Sequence, residues 1–131
     1  MNSFLRLAAK TPGVDWKDFV DDAEYEHLLS TCAVFALPSL YEGFGMQILD
    51  AMQRGIPVLT SDRGSLPEVA GTGAVLVNPE DVSSIARGLE RLLTDTNVCS
   101  NLRLRGKERA AMFSWKRTVD VFVGILERVD L

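Results

Sequence analysis

Cysteine, histidine and long apolar runs are what this sequence has least of, and each shortage closes a class of function. Only two cysteines, Cys32 and Cys99, occur in 131 residues. They lie far apart in apolar or helical surroundings, so they form neither a disulfide framework nor a metal-ligand spacing. They read as inert thiols of a reducing compartment, which makes the expected location cytoplasmic. The single histidine, His27, falls in mid-helix away from the strand ends and is not a catalytic candidate. No apolar stretch approaches the ~18–20 residues that a membrane span needs. The N-terminal MNSFLRLAAK also lacks the apolar core of a secretory signal. Basic charge is short too: 14 Lys and Arg stand against 18 Asp and Glu, a net charge of −4. Nucleic-acid backbones are bound by clustered Lys and Arg, so nucleic acid is not an expected partner.

What is present is the composition of a globular protein, 47% hydrophobic and 24% charged, which excludes wholesale disorder. The length predicts a single domain over residues 1–131. Short β-rich runs alternate with helical ones. Residues 1–10 read as a helix broken by Thr11-Pro12-Gly13. Residues 14–20 read as a short strand, and 23–31 as a helix capped by Asp21 or Asp22. Ala33-Val34-Phe35-Ala36-Leu37 is a continuous apolar run, the pattern of a strand covered on both faces. A helix follows over 45–54, closed by Gly55. Strands at 56–60 and 74–77 flank one helical turn at 65–69. Helices then run over 82–93 (capped by Asp81, with Val82, Ile85, Ala86, Leu89, Leu92 and Leu93 on one face), 98–113 and 115–129 (capped by Ser114). Strands alternating with helices predict an α/β fold, a partial Rossmann-like doubly wound parallel sheet flanked by helices. In such sheets ligands bind beyond the carboxyl ends of the strands, here the loops after Leu37, Thr60 and Val77.

The first of those loops is the most informative: Pro38-Ser39-Leu40-Tyr41-Glu42-Gly43-Phe44-Gly45. Its glycines let backbone N–H groups approach a ligand closely, and the helix start that follows leaves N–H groups unpaired. Together they suit a phosphate or another anion. Glu42 beside such a site makes sense as an acceptor for sugar hydroxyls. Asp50 comes eight residues later, about 12 Å of helical rise away, too far to share one proton or metal with Glu42. The pair could hold two ends of an extended ligand such as a nucleoside diphosphate sugar. By the residues alone, solvated carboxylates around an ordinary glycine turn remain the alternative.

The run from Ala33 to Gly45 resembles the "DVFVLPSLYEGFG" of family 4, or group 1, glycosyltransferases, whose architecture is GT-B. Asp50-Ala51-Met52 followed by Gly55-Ile56-Pro57-Val58 resembles the family's "EAMAxGxPVV". Ser61, Gly64-Ser65-Leu66-Pro67-Glu68-Val69, Val77-Asn78-Pro79-Glu80-Asp81 and Phe113-Ser114-Trp115 also fit. The resemblance covers residues 14–126 and implies the distal part of the C-terminal, nucleotide-sugar-binding domain of a retaining hexosyltransferase. Glu42 would be catalytic, touching the donor sugar near its phosphates. Gly43, Phe44, Gly45 and Met46 would bind the donor, and Asp50 would take the place of the family's ribose-holding Glu with one methylene less reach. No metal or other cofactor is implied. The glycan or lipid-linked acceptor would belong to an N-terminal domain that is absent, as are the first strands and their diphosphate-neutralising basic residues. The chain alone is therefore expected to be inactive. The rival reading is a non-catalytic nucleotide-binding or protein-interaction module derived from such an enzyme. A receiver-like domain is excluded because its acidic cluster and late lysine are missing.

Smaller features have plainer expectations. Glu68 reads as a structural residue at a helix start. Arg103, Arg105, Lys107 and Arg109 read as a solvated helix face. Trp16 and Trp115 read as core or interface packing. The apolar stripe of the last helix, Trp115, Val119, Phe122, Leu126 and Val129, is expected to promote self-association.

Overall fold

The computed structural model describes residues 3–129, so Met1 and Asn2 of the expected first helix lie outside the described residues. The chain divides into two compact units, Met1–Ser30 and Thr31–Leu131. In the first unit, α1 (Ser3–Lys10) is followed by α2 (Asp22–Thr31), whose last residue falls in the second unit. Asp21 caps α2, its Oδ1 accepting the Glu24 N–H at 2.8 Å. The strand expected at 14–20 is not formed, and the segment is irregular. A strand must place its N–H and C=O groups on a neighbour, and this unit supplies none among the described residues. Lys17 instead bonds Glu24 at 2.7 Å, and that hydrogen bond, with the nearby carboxylate charges, raises the lysine pKa. Trp16 is half exposed.

The second unit is a three-stranded parallel sheet in the order β1-β2-β3, flanked by helices. Its strands are β1 (Phe35–Leu37), β2 (Val58–Ser61) and β3 (Ala74–Val77). Phe35 pairs with Val58, and Val58 with Ala74. Between the strands lie α3 (Met46–Gln53) and α4 (Leu66–Ala70). After them come α5 (Val82–Thr94), α6 (Thr96–Ala111) and α7 (Trp115–Leu126). Only β2 is covered on both faces, all four of its residues being buried. β1 is an edge strand of this sheet with Ala36 exposed, so its apolar run reports composition rather than full burial.

Helical spacing explains how β2 is covered. Ile48, Ala51 and Met52 of α3 and Leu66, Val69 and Ala70 of α4 are buried, and both helices pack on β2. Leu59 belongs to a core shared with Val77, Leu92 and Leu102, against which Ile85 and Leu89 of α5 and Cys99 of α6 also pack. The buried stripe of α5 is narrower than its apolar residues suggest, since Val82 and Leu93 are exposed. Asp81 caps α5 by accepting the Ser83 N–H. Asp95 accepts the N–H groups of both Asn97 and Val98, so α6 begins two residues before the expected start at Val98.

The basic face of α6 is not simply solvated. Arg103 donates to the carbonyl of Gly55, just past the end of α3, at 2.8 Å. Arg109 donates to the carbonyls of Glu68 and Val69 near the end of α4. Cations fit there because helix C-termini leave carbonyls unpaired and carry partial negative charge. Trp115, expected in packing, is 77% exposed, and no residue of α7 is buried. Among the described residues no helix is long and apolar enough to cross a membrane.

Gly88 marks where α5 comes closest to the sheet. A Cβ there would lie 2.7 Å from Leu59 Cδ1 and 2.8 Å from Val77 Cγ1. Gly88→Val is expected to destabilise the chain by about 1–3 kcal/mol through overpacking. Urea unfolding measures this, and an unchanged midpoint would mean that α5 can lift from the sheet freely.

Candidate functional site

The loop from Pro38 to Gly45 leaves the carboxyl end of β1 and enters α3, the position that an open parallel sheet reserves for ligands. The strand ends are held together locally: Thr60 Oγ1 donates to the Leu37 carbonyl at 2.9 Å. The turn into α3 depends on Gly45, whose φ of 92° and ψ of 48° are left-handed. A side chain there would be strained, and its Cβ would come 2.5 Å from Leu66 Cδ2. Helix α3 begins at Met46, so Glu42 sits in the loop and not on the helix; Asp50 alone of the two carboxylates is helical.

The loop is fixed by side chains from several directions. Ser39 Oγ donates to Glu42 Oε1 at 2.8 Å, which orients this half-buried carboxylate. Ser65, at the start of α4, places its hydroxyl 2.9 Å from the Glu42 carbonyl oxygen and 3.2 Å from that of Phe44. The Phe44 ring meets Phe113 edge to face, with centroids 5.8 Å apart, and the Arg109 guanidinium lies 4.8 Å from the Phe113 centroid. Among the described residues, the N–H groups of Gly43, Phe44 and Gly45 make no hydrogen bond.

Asp50 lies elsewhere from Glu42. It is exposed and lines a groove of about 800 Å³ between α3 and the α6–α7 corner, with Phe44, Met46, Lys107, Phe113 and Trp115. The Asp50 carboxylate makes no hydrogen bond or ion pair among the described residues. The structure thus brings Phe44, Met46 and Asp50 to one groove, whose volume is in the range of small-molecule sites. It leaves Glu42, Gly43 and Gly45 on the adjoining loop. Arg63, in the loop after β2, is paired with Asp62 at 3.2 Å and Glu80 at 3.5 Å. Its charge is thereby engaged across the loops after β2 and β3.

Sequence reasoning missed Ser39, Ser65 and the Arg109–Phe113 pair. Ser65 carries a weak signal, a hydroxyl residue just before a helical turn, but that pattern points to a helix cap and not to the neighbouring loop. Phe113 carries only its place in the family resemblance and Arg109 none that points to the loop, because their contacts join residues far apart in the chain.

The family profile described as glycosyl transferases group 1 matches residues 6–109. The serotype-specific mannosyltransferase WbdA of Escherichia coli is 38% identical over 113 residues, which is 83% of this chain and 14% of that protein. The O-antigen chain mannosyltransferase B of Escherichia coli is 38% identical over 98 residues, 75% of this chain and 26% of that protein. Among solved structures, the sucrose-phosphate synthase of Thermosynechococcus elongatus superposes with a TM-score of 0.77 at 28% identity, covering 95% of this chain and 32% of that one. The C-terminal domain of a group 1 glycosyl transferase from Francisella tularensis gives 0.68 at 23% identity, over 83% of this chain and 60% of that one, a likeness of fold. The chain therefore spans a minor part of the length of these mannosyltransferases. Its flanked parallel sheet is that of the GT-B enzymes, and by the span of the family match the chain belongs to the group 1 glycosyltransferases.

Proposed function

We propose that this chain is the donor-binding part of a retaining, family 4 hexosyltransferase that moves a sugar from a nucleoside diphosphate to an acceptor hydroxyl in glycan, polysaccharide or glycolipid synthesis. The observation that carries this reading is the loop at the end of β1, where three consecutive N–H groups are unbonded at the entry to α3. Those amides suit the departing diphosphate. Catalysis of this kind rests on positioning and on electrostatic stabilisation of the leaving group, which preformed backbone donors supply without reorganisation. Glu42, oriented by Ser39, accepts hydroxyl hydrogen bonds from the donor sugar. Asp50, unpaired in the groove, accepts them from the ribose. No metal enters this reading. The acceptor side belongs to a further domain, so the chain by itself binds donor without turning it over, and the setting is cytoplasmic.

A two-dimensional NMR titration with UDP, GDP, ADP and their sugar conjugates tests the donor site. Saturable shifts at residues 42–46 and near Asp50, with one base preferred, are the expected result. A well-dispersed spectrum that stays unmoved at millimolar ligand would sink the reading. Asp50→Ala is expected to weaken the preferred nucleotide about tenfold, the weight of one charge-assisted hydrogen bond.

The exposed stripe of α7, including Trp115 and the 61%-exposed Phe122, is read as a self-association surface of the isolated chain. Sedimentation should show a concentration-dependent dimer that Phe122→Glu disperses. A monomer at high concentration would count against it.

A further inference from the structure

Ser65 occupies the N-cap position of α4, yet its side chain makes no capping bond to that helix. A serine there normally accepts a hydrogen bond from the second or third N–H of its own helix, with an extended backbone. Here the backbone is helical, at φ −77° and ψ −17°, and the hydroxyl is turned toward the preceding loop. It donates to the Glu42 carbonyl at 2.9 Å, with the Phe44 carbonyl 3.2 Å away. Ser65 is only half-buried, and its partners lie 23 and 21 residues earlier in the chain.

The consequence follows from the trans peptide bond. In a planar trans unit the C=O and the next residue's N–H point in opposite directions. Drawing the Glu42 and Phe44 oxygens toward Ser65 therefore sends the N–H groups of Gly43 and Gly45 away from it. Those amides have no partner among the described residues, and a Cβ added at Gly43 would meet nothing within 4 Å.

We propose that Ser65 is a positioning residue for the donor site: its hydroxyl fixes two peptide planes of the loop so that the Gly43 and Gly45 amides present themselves to the diphosphate. This inference rests on the donor reading above. One hydroxyl at a helix start thus sets the direction of two donors on another element, and α4 gives up its side-chain cap to do so.

The test compares the unmodified chain with Ser65→Ala and Ser65→Thr. Three quantities are measured: the Gly43 and Gly45 amide resonances without ligand, the affinities for UDP, GDP and ADP, and the urea midpoint. Ser65→Ala should move both amide resonances and weaken the preferred diphosphate about tenfold, with the urea midpoint falling only slightly, since one hydrogen bond and no helix cap is lost. Ser65→Thr, which keeps the hydroxyl, should restore both amides and affinity. The inference is overturned if Ser65→Ala binds like the unmodified chain. It is equally overturned if the alanine variant unfolds, or loses affinity only in step with stability, because the hydroxyl would then be a general anchor. An unmodified chain that binds none of the three diphosphates removes the donor reading itself and this role with it. Binding that survives Ser65→Ala intact removes the Ser65 role alone.

Discussion

Everything in the second unit is arranged around the burial of β2. A parallel central strand has neighbours on both edges, so all its backbone groups are bonded in the ladder and its side chains must be covered above and below. Val58, Leu59 and Thr60 are fully buried. Covering them requires α3 and α4 to pack on the strand and α5 to pack beside Leu59. With the strands parallel, every crossover runs back to the end where the strands begin and every strand leaves at the same end. The loops after β1, β2 and β3 are therefore gathered at one edge without any interaction chosen for that purpose. The hydrogen bonds from Thr60 to Leu37 and from Ser65 to Glu42 are consequences of that gathering.

Much of this was legible in the sequence because its causes are local. The runs at Phe35, Val58 and Ala74, the Gly55 stop and the Asp81 and Ser114 caps are each determined by a few neighbouring residues. Residues 14–20 failed because alternation alone cannot provide a partner strand. The apolar run of β1 predicts double cover because such a run looks the same on an edge as in the centre. The contacts of Arg103 and Arg109 are not legible because a cation that satisfies a helix C-terminus is indistinguishable, by composition, from one in water.

The candidate site divides along the same line. The turn at Gly43-Phe44-Gly45 was legible because its left-handed entry into a helix demands glycine at Gly45. What holds that segment was not. Ser65 and Phe113 reach the loop from elements remote in sequence, and no spacing rule connects them to it. The separation of Glu42 from Asp50 follows from their spacing and from a helix that starts after Glu42, but the groove that Asp50 lines does not, since its far wall comes from the α6–α7 corner.

The loop's supports also explain how an exposed glycine-containing turn is held in one shape. Glycine at Gly45 permits the left-handed turn but does not enforce the shape of the loop, and a free loop would average its dipoles. Enforcement comes from outside. Ser65 shares its one hydroxyl proton between two carbonyls, the Glu42 oxygen the nearer, and Phe113 packs on the Phe44 ring while Arg109 lies over Phe113. Arg109 also bonds the carbonyls of Glu68 and Val69, so α4, whose first turn carries Ser65, is itself held at its far end. The two supports therefore converge on one short helix, and the direction of the loop amides depends on the position of α4 as much as on the glycines. Oriented dipoles stabilise developing charge only when they need not move to meet it. On the donor reading proposed above, that condition is met by a five-residue helix tied to the loop at its start and to Arg109 near its end.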